Sequence, residues 1–270
     1  ILSSLPAISN ILPIFNAPRE ISYPRSYSAA LSGNIDIKGL RFRYGDKAPF
    51  VINGVDLHIE SGEYVAIVGS SGSGKSTLLR LLLGFEKPTE GSILYDGKTF
   101  SDIDARRIRS QIGVVLQNAG LFAGDILSNI LCGRSLSIED AWRAAEMAGL
   151  KDDILAMPMG MNTAVGEGSG TLSGGQRQRL IIARAIVNNP KILFFDEATS
   201  ALDNRTQALV TESIRKNKAT RIVIAQRLST IRSADRIILL DRGVVAEEGS
   251  YDELIAREGL FYRLCRRQLF

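Results

Sequence analysis

Apolar and polar residues change their spacing several times along the chain. Ile35, Ile37, Leu40 and Phe42 open a strand-like alternation, and Val51 to Ile59 continues it with Val55, Leu57 and Ile59 on one face. Glu63 to Val68, Ile192 to Phe195, Arg221 to Ala225 and Arg236 to Leu240 are short, mostly apolar runs, as expected of strands covered on both sides. Ile112 to Leu116 reads as a further strand. Lys75 to Leu83, Ser173 to Asn188 and Arg205 to Lys216 predict helices. Residues 118–171 predict mainly helix, with Ser137-Ile138-Glu139-Asp140 as a capping box before an amphipathic run. Strands alternating with helices predict an α/β fold around a mostly parallel sheet.

Residues 1–33 lack such a period and hold four of the eight prolines, Pro6, Pro13, Pro18 and Pro24. They read as a connector from something upstream, and the folded domain is placed at 34–268. The 270 residues are 45% hydrophobic and 23% charged, a globular balance that excludes a disordered or fibrous chain. No apolar run reaches the ~18 residues that cross a bilayer, and no signal peptide is visible. Cys132 and Cys265 stand 133 residues apart, which predicts two reduced thiols rather than a disulfide framework or a metal motif. The net charge of +4 comes without a dense basic block, so nucleic acid is not an expected partner. His58 is the only histidine, which nearly excludes Ser-His-Asp triads and His-based metal sites. Its place between Leu57 and Ile59 predicts a surface or hydrogen-bonded strand residue.

The chemistry is carried by three segments. Gly69-Ser70-Ser71-Gly72-Ser73-Gly74-Lys75-Ser76 fits G-x-x-x-x-G-K-[ST] and lies between an apolar strand and an apolar helix. Glycines let the backbone wrap tightly around phosphate, and loop N–H groups with the helix start face the anion. Lys75 is placed to reach the β- and γ-phosphates and Ser76 to ligate Mg²⁺. Ile192-Leu193-Phe194-Phe195-Asp196-Glu197 is an apolar strand that ends in two carboxylates. Asp196 is a candidate Mg²⁺ ligand, because ligands bind at the carboxyl edge of open α/β sheets. Glu197 is a candidate base for an attacking water. Leu172-Ser173-Gly174-Gly175-Gln176 opens a helix with Ser173 as N-cap and makes a second anion cradle in one chain.

With these motifs in order, residues 35–268 resemble the nucleotide-binding domain of ATP-binding-cassette (ABC) transporters. The resemblance implies a P-loop NTPase core, an antiparallel β subdomain and an inserted helical subdomain at about 118–171. Gln117 then corresponds to the Q-loop glutamine, a metal and catalytic contact. Ser200-Ala201-Leu202-Asp203 corresponds to the D-loop, with Asp203 at the nucleotide. Tyr44, in Phe42-Arg43-Tyr44, corresponds to the aromatic that stacks on adenine, against the alternative of a strand tyrosine packed on the core. Nucleotide contacts are implied for Gly69, Gly72, Gly74, Lys75, Ser76 and Thr77, and for Ser173 and Gly175 across a dimer.

Thr163-Ala164-Val165-Gly166-Glu167 and Glu247-Glu248-Gly249-Ser250-Tyr251-Asp252-Glu253-Leu254 resemble segments of the exporter branch. Residues 185–205 are closest to bacteriocin and peptide exporters. Such a resemblance implies ATP and Mg²⁺ as cofactors. It implies two partners, a transmembrane domain of the same or another chain and a second nucleotide-binding domain, identical or not. The expected place is the cytoplasmic face of a membrane.

One position departs from the family. Where Ile224-Ala225-X-Arg227-Leu228 commonly holds a histidine that contacts the γ-phosphate, this chain has Gln226. Glutamine can donate an amide hydrogen bond but does not titrate. Low basal hydrolysis is the expected consequence. The competing readings are an ATP-driven dimer clamp with little turnover and a soluble, non-transport ABC ATPase.

Overall fold

The computed structural model describes residues 30–99, 102, 105–166, 170–196, 210–213, 215 and 218–268, with Ile11, Leu12 and Phe15. Strands β1 (Ile35–Phe42), β2 (Ile52–Ile59) and β4 (Glu90–Tyr95) form an antiparallel sheet in the order β2-β1-β4. A larger sheet takes β3 (Tyr64–Val68), β5 (Ile112–Val115), β8 (Ile192–Asp196), β9 (Thr220–Ile224), β10 (Arg236–Asp241) and β11 (Val244–Gly249) in the order β11-β10-β3-β9-β8-β5. Its neighbours pair in parallel except β10 with β11. That one antiparallel pair is a hairpin whose turn, Arg242 and Gly243, has positive φ at both central residues.

The larger sheet is buried on both sides. Ala66 and Val68 of β3 face one core with Leu193, Phe195, Val223, Ile237 and Leu239. The alternate residues Val65 and Ile67 face a second core with Phe194, Ile222, Ile224, Ile238 and Leu240. This two-sided burial explains why these strands lack polar alternation. The second core also takes the antiparallel sheet and helix α1 (Lys75–Leu82). Eight residues are below the ~12–15 that hold an isolated helix, so α1 depends on burying Thr77, Leu78, Leu79, Leu81 and Leu82.

A short helix α2 (Ala105–Ser110) precedes β5. The first core carries the helices α3 (Ile126–Leu131), α4 (Ile138–Met147), α5 (Lys151–Ala156) and α6 (Gly174–Ile186). Residues 118–171 are not helical throughout. Gly124 and Asp125 (β6) pair with Ala164 and Val165 (β7), and Asp125 then caps α3. The predicted capping box at the start of α4 is present, with Ser137 and Asp140 each capping the other's N–H. The chain closes with α7 (Leu228–Arg232), α8 (Tyr251–Ala256) and α9 (Leu260–Gln268).

His58 is exposed on β2 with Nδ1 2.7 Å from Asp36 Oδ1, a hydrogen-bonded surface histidine as expected. Cys132 and Cys265 are both free thiols. Among the described residues no helix is long and apolar enough to cross a membrane. Nor do they hold a group of three or more His, Cys, Asp and Glu side chains that could bind a metal.

Candidate functional site

The parallel strands β5, β8, β9 and β3 end on one edge, and the sequence motifs sit there. Gly69 follows β3, Gln226 stands two residues past β9, Asp196 is the last residue of β8, and Gln117 lies two residues past β5. The strand order β3-β9-β8-β5 sets these residues side by side along the edge. The register fixes two of them closely, since Asp196 pairs with Ile224 and Ala225 N–H donates to Ile67 O at 3.1 Å. Asp196 is half-buried, while Gln117 and Gln226 are exposed.

Between β3 and α1 the loop is shaped by its glycines. Gly69 has φ +152°, and a Cβ there would lie 2.2 Å from Leu240 O. Gly74 has φ +105°, and a Cβ there would lie 2.9 Å from Ile52 Cδ1. Only a residue without Cβ fits either place. The loop is also strapped from outside: Gly243 N–H in the β10–β11 turn donates to Ser73 O at 3.0 Å. Gly243 was not a candidate from sequence. Its signal was the Asp241-Arg242-Gly243 turn, but nothing local ties that turn to residue 73.

The start of α1 is left open. Gly74 is its N-cap and provides no side-chain cap, and the first turn holds no acidic residue. A Cβ built on Gly72 meets nothing within 4 Å, so the loop borders open space there. Lys75 Nζ donates to Gly69 O at 2.9 Å and Ser70 O at 2.8 Å, arching over the loop. Ser73 Oγ is buried without a hydrogen-bond partner. Uncapped N–H groups, a loop ammonium and a buried hydroxyl fit a polyphosphate. Ser76, exposed on the first turn of α1, and Asp196 are hard oxygen donors of the type Mg²⁺ takes.

Tyr44 follows the end of β1 rather than lying within it. The residue is 56% exposed, so Tyr44 is not a core tyrosine. It meets Phe42 edge-on at 4.9 Å, and its hydroxyl lies 3.2 Å from Thr77 Oγ1. That contact brings the aromatic to the helix that follows the phosphate loop.

The second cradle is built differently. Ser173 caps α6, accepting from Gln176 N–H at 3.2 Å, and Gln176 Oε1 accepts from Ser173 N–H at 3.0 Å. No acidic residue stands in the first turn of α6, whereas α4, α5 and α8 each carry two carboxylates there. Leaving acids out keeps the helix start attractive to an anion. Ser173 is exposed and Gly175 half-buried. Glu197, Asp203 and Glu167 lie outside the described residues.

The sequence model of the ABC transporter family matches residues 52–200. The chain belongs to that family, whose ATP-binding domains are ATPases that bind ATP, generally with magnesium. The exotoxin translocation ATP-binding protein PaxB of Pasteurella aerogenes is 44% identical over 266 residues, 97% of this chain and 37% of that protein. The alpha-hemolysin translocation ATP-binding protein HlyB of Escherichia coli O6:H1 is 42% identical over 266 residues, 97% of this chain and 38% of that protein. A bacterial Atm1-family ABC exporter solved with ATP bound superposes with a TM-score of 0.90 at 37% identity, covering 99% of this chain and 48% of that one. The expected P-loop α/β fold is therefore that of an ABC exporter's ATP-binding domain. The chain spans a little over a third of the length of these curated relatives.

Proposed function

We propose that this chain is the ATP-hydrolysing motor of a membrane exporter, of the kind that translocates toxins or peptides. The observation that carries the reading is the gathering of Lys75, Gln226, Asp196 and Gln117 along one sheet edge, beside a helix start left uncapped. Residues 34–268 form the ATPase domain, 118–171 its helical subdomain, and 1–33 a connector from a membrane domain. The domain works at the cytoplasmic face, against a transmembrane domain and a second nucleotide-binding domain.

Each residue then has a role. The loop N–H groups at Gly69, Gly72 and Gly74 cradle the triphosphate, and Lys75 moves from the loop carbonyls to the β- and γ-phosphates. Tyr44 stacks on the adenine, and Thr77 contacts the nucleotide beside it. Ser76, Asp196 and Gln117 hold a magnesium ion. When bound there, Mg²⁺ supplies positive charge against the triphosphate oxygens. Glu197 accepts the proton of the attacking water, and Gln226 gives an amide hydrogen bond to the γ-phosphate. Ser173 and Gly175 of a second copy, with Asp203 at the junction, complete the site across the dimer. A second helix start with no acidic residue in its first turn supports this dimer.

Glu197→Gln tests the reading. It keeps the size of the side chain and removes the base, whose assistance is worth ~10²–10⁴-fold in rate. The expected result is a variant that binds Mg-ATP, hydrolyses it far more slowly and elutes as a nucleotide-dependent dimer. A variant that stays monomeric and turns over like the parent refutes it. Gln226 favours one second reading, a clamp that closes on ATP with little turnover. Dimer closure by the parent on Mg-ATP without measurable turnover supports it, and steady-state hydrolysis equal to or above that of Gln226→His removes it.

A further inference from the structure

Ser173 is held by Gln176, and Gln176 is held by a residue from another helix. Gln176 Nε2 donates to Asp153 Oδ1 at 2.7 Å. The other oxygen, Asp153 Oδ2, accepts from Arg179 Nη1 at 2.9 Å, with both side chains mostly out of solvent. Arg179 also donates from Nη1 to Gly149 O at 2.6 Å and from Nε to Gly175 O at 3.3 Å. One carboxylate on α5 therefore grips both the first and the second turn of α6.

An amide has two faces, and either could point at Ser173. A carboxylate is an acceptor only, so it takes the NH₂ side of Gln176. That leaves Oε1 for Ser173 N–H, the arrangement observed. We propose that Asp153 is a positioning residue, which sets the Gln176 amide and through it the Ser173–Gly175 cradle offered to the partner's nucleotide. This rests on the reading that Ser173 and Gly175 complete a site across a dimer. An amide at position 153 has a single acceptor oxygen for two donors, Gln176 and Arg179. If it serves Arg179, its NH₂ meets that of Gln176, and the glutamine turns to present a donor to Ser173 N–H.

The test uses the 270-residue chain, with kcat, Mg-ATP affinity and thermal melting read on each variant. Asp153→Asn is expected to lower kcat about tenfold with ATP affinity changed less than about twofold, because the cradle acts mainly when charge develops in transfer. Asp153→Glu keeps the carboxylate and is expected to recover most of the rate. Gln176→Ala is expected to lose as much as Asp153→Asn, and the double substitution no more than either, since both act through one amide. Losses that multiply overturn the proposal. So does an Asp153→Asn variant with parental kcat, or one that loses its cooperative melt. Ser173→Arg, which blocks the cradle, separates the two levels. If it leaves turnover intact, the dimer reading falls and this proposal with it. If it abolishes turnover while Asp153→Asn stays parental, only this proposal falls.

Discussion

The two cradles are made in opposite ways. At the start of α1 the cap is a glycine in a left-handed conformation, which offers no side-chain cap. At the start of α6 a serine and a glutamine satisfy each other, and a carboxylate satisfies the glutamine. The first contains a buried hydroxyl without a partner and a lysine turned onto its own carbonyls. The second has its side chains paired. A loop with open donors gains most from its ligand, because burying unpaired donors costs about 1–3 kcal/mol each. A helix start that is already satisfied adds little alone and works as a preset surface for something bound elsewhere. Under the proposed function, the difference divides the work into binding at the loop and completion at the helix.

Lys75→Ala is the strongest way to break this division. Charged hydrogen bonds contribute about 1.5–3 kcal/mol each, so losing the ammonium is expected to weaken Mg-ATP binding at least about a hundredfold while the melt stays cooperative. The measurement is an equilibrium titration. Unchanged affinity shows that the loop is not the primary cradle.

Gly69→Ala strikes the same loop through shape. Its Cβ would meet Leu240 O at 2.2 Å in a conformation that side chains rarely adopt. The loop must move, and the β10 strand packed on it must give way. Loss of a few kcal/mol is expected, seen as weaker ATP binding together with a lower Tm. The matching change at the other cradle, Gly174→Ala, meets open space and is expected to leave Tm near the parent's. Equal effects at both glycines contradict the comparison.

The same contrast decides what could be read from the sequence. β3, β8, β9 and β10 were legible because burial on both faces makes each an uninterrupted apolar run. β4 and β11 were not. Glu90-Gly91-Ser92 and Glu247-Glu248 put polar residues where a strand signal was needed, and both strands lie at sheet edges with one side open. The phosphate loop was legible because its chemistry demands particular residues at particular spacing. Gly243 and Asp153 were not, since a lone glycine or aspartate says nothing of a partner far away in the chain. The contacts that build a motif are local, whereas the contacts that steady it come from the fold.

Ser173→Ala probes the helix cradle at smaller amplitude. Losing a serine cap costs about 1 kcal/mol, and in a domain of this size that shifts Tm by roughly 2–4 °C. Affinity of the same chain for Mg-ATP is expected to hold, because the proposed function places the nucleotide on the other cradle. A loss of affinity comparable to that of Lys75→Ala removes the division between binding and completion.

The smallest effect expected distinguishes the α6 cap from the other helix starts by pH. At the starts of α3, α4 and α8 a carboxylate accepts one backbone N–H, that of Ser128, Ser137 and Ser250 in turn. Backbone hydrogen bonds from Ser128, Ser137 and Ser250 hold the carboxyls of Asp125, Asp140 and Glu253 below their ordinary range. A lowered pKa in the folded state means that the ionised form is the one the fold stabilises. That contribution is complete above the unfolded pKa of each group and disappears as pH falls through the folded one. The α6 cap uses the Gln176 amide, which does not titrate. As pH falls below the ~4 of model carboxyls, amide hydrogen exchange at Ser128, Ser137 and Ser250, corrected for intrinsic rates, is expected to lose protection, because those N–H groups donate to the carboxylates. Ser173 N–H, held by the Gln176 amide oxygen, is expected to keep its protection over the same range. Because Gln176 also leans on the Asp153 carboxylate, loss of Ser173 N–H protection in step with the others would make the acid on α5, rather than the amide alone, the group that sets this helix start.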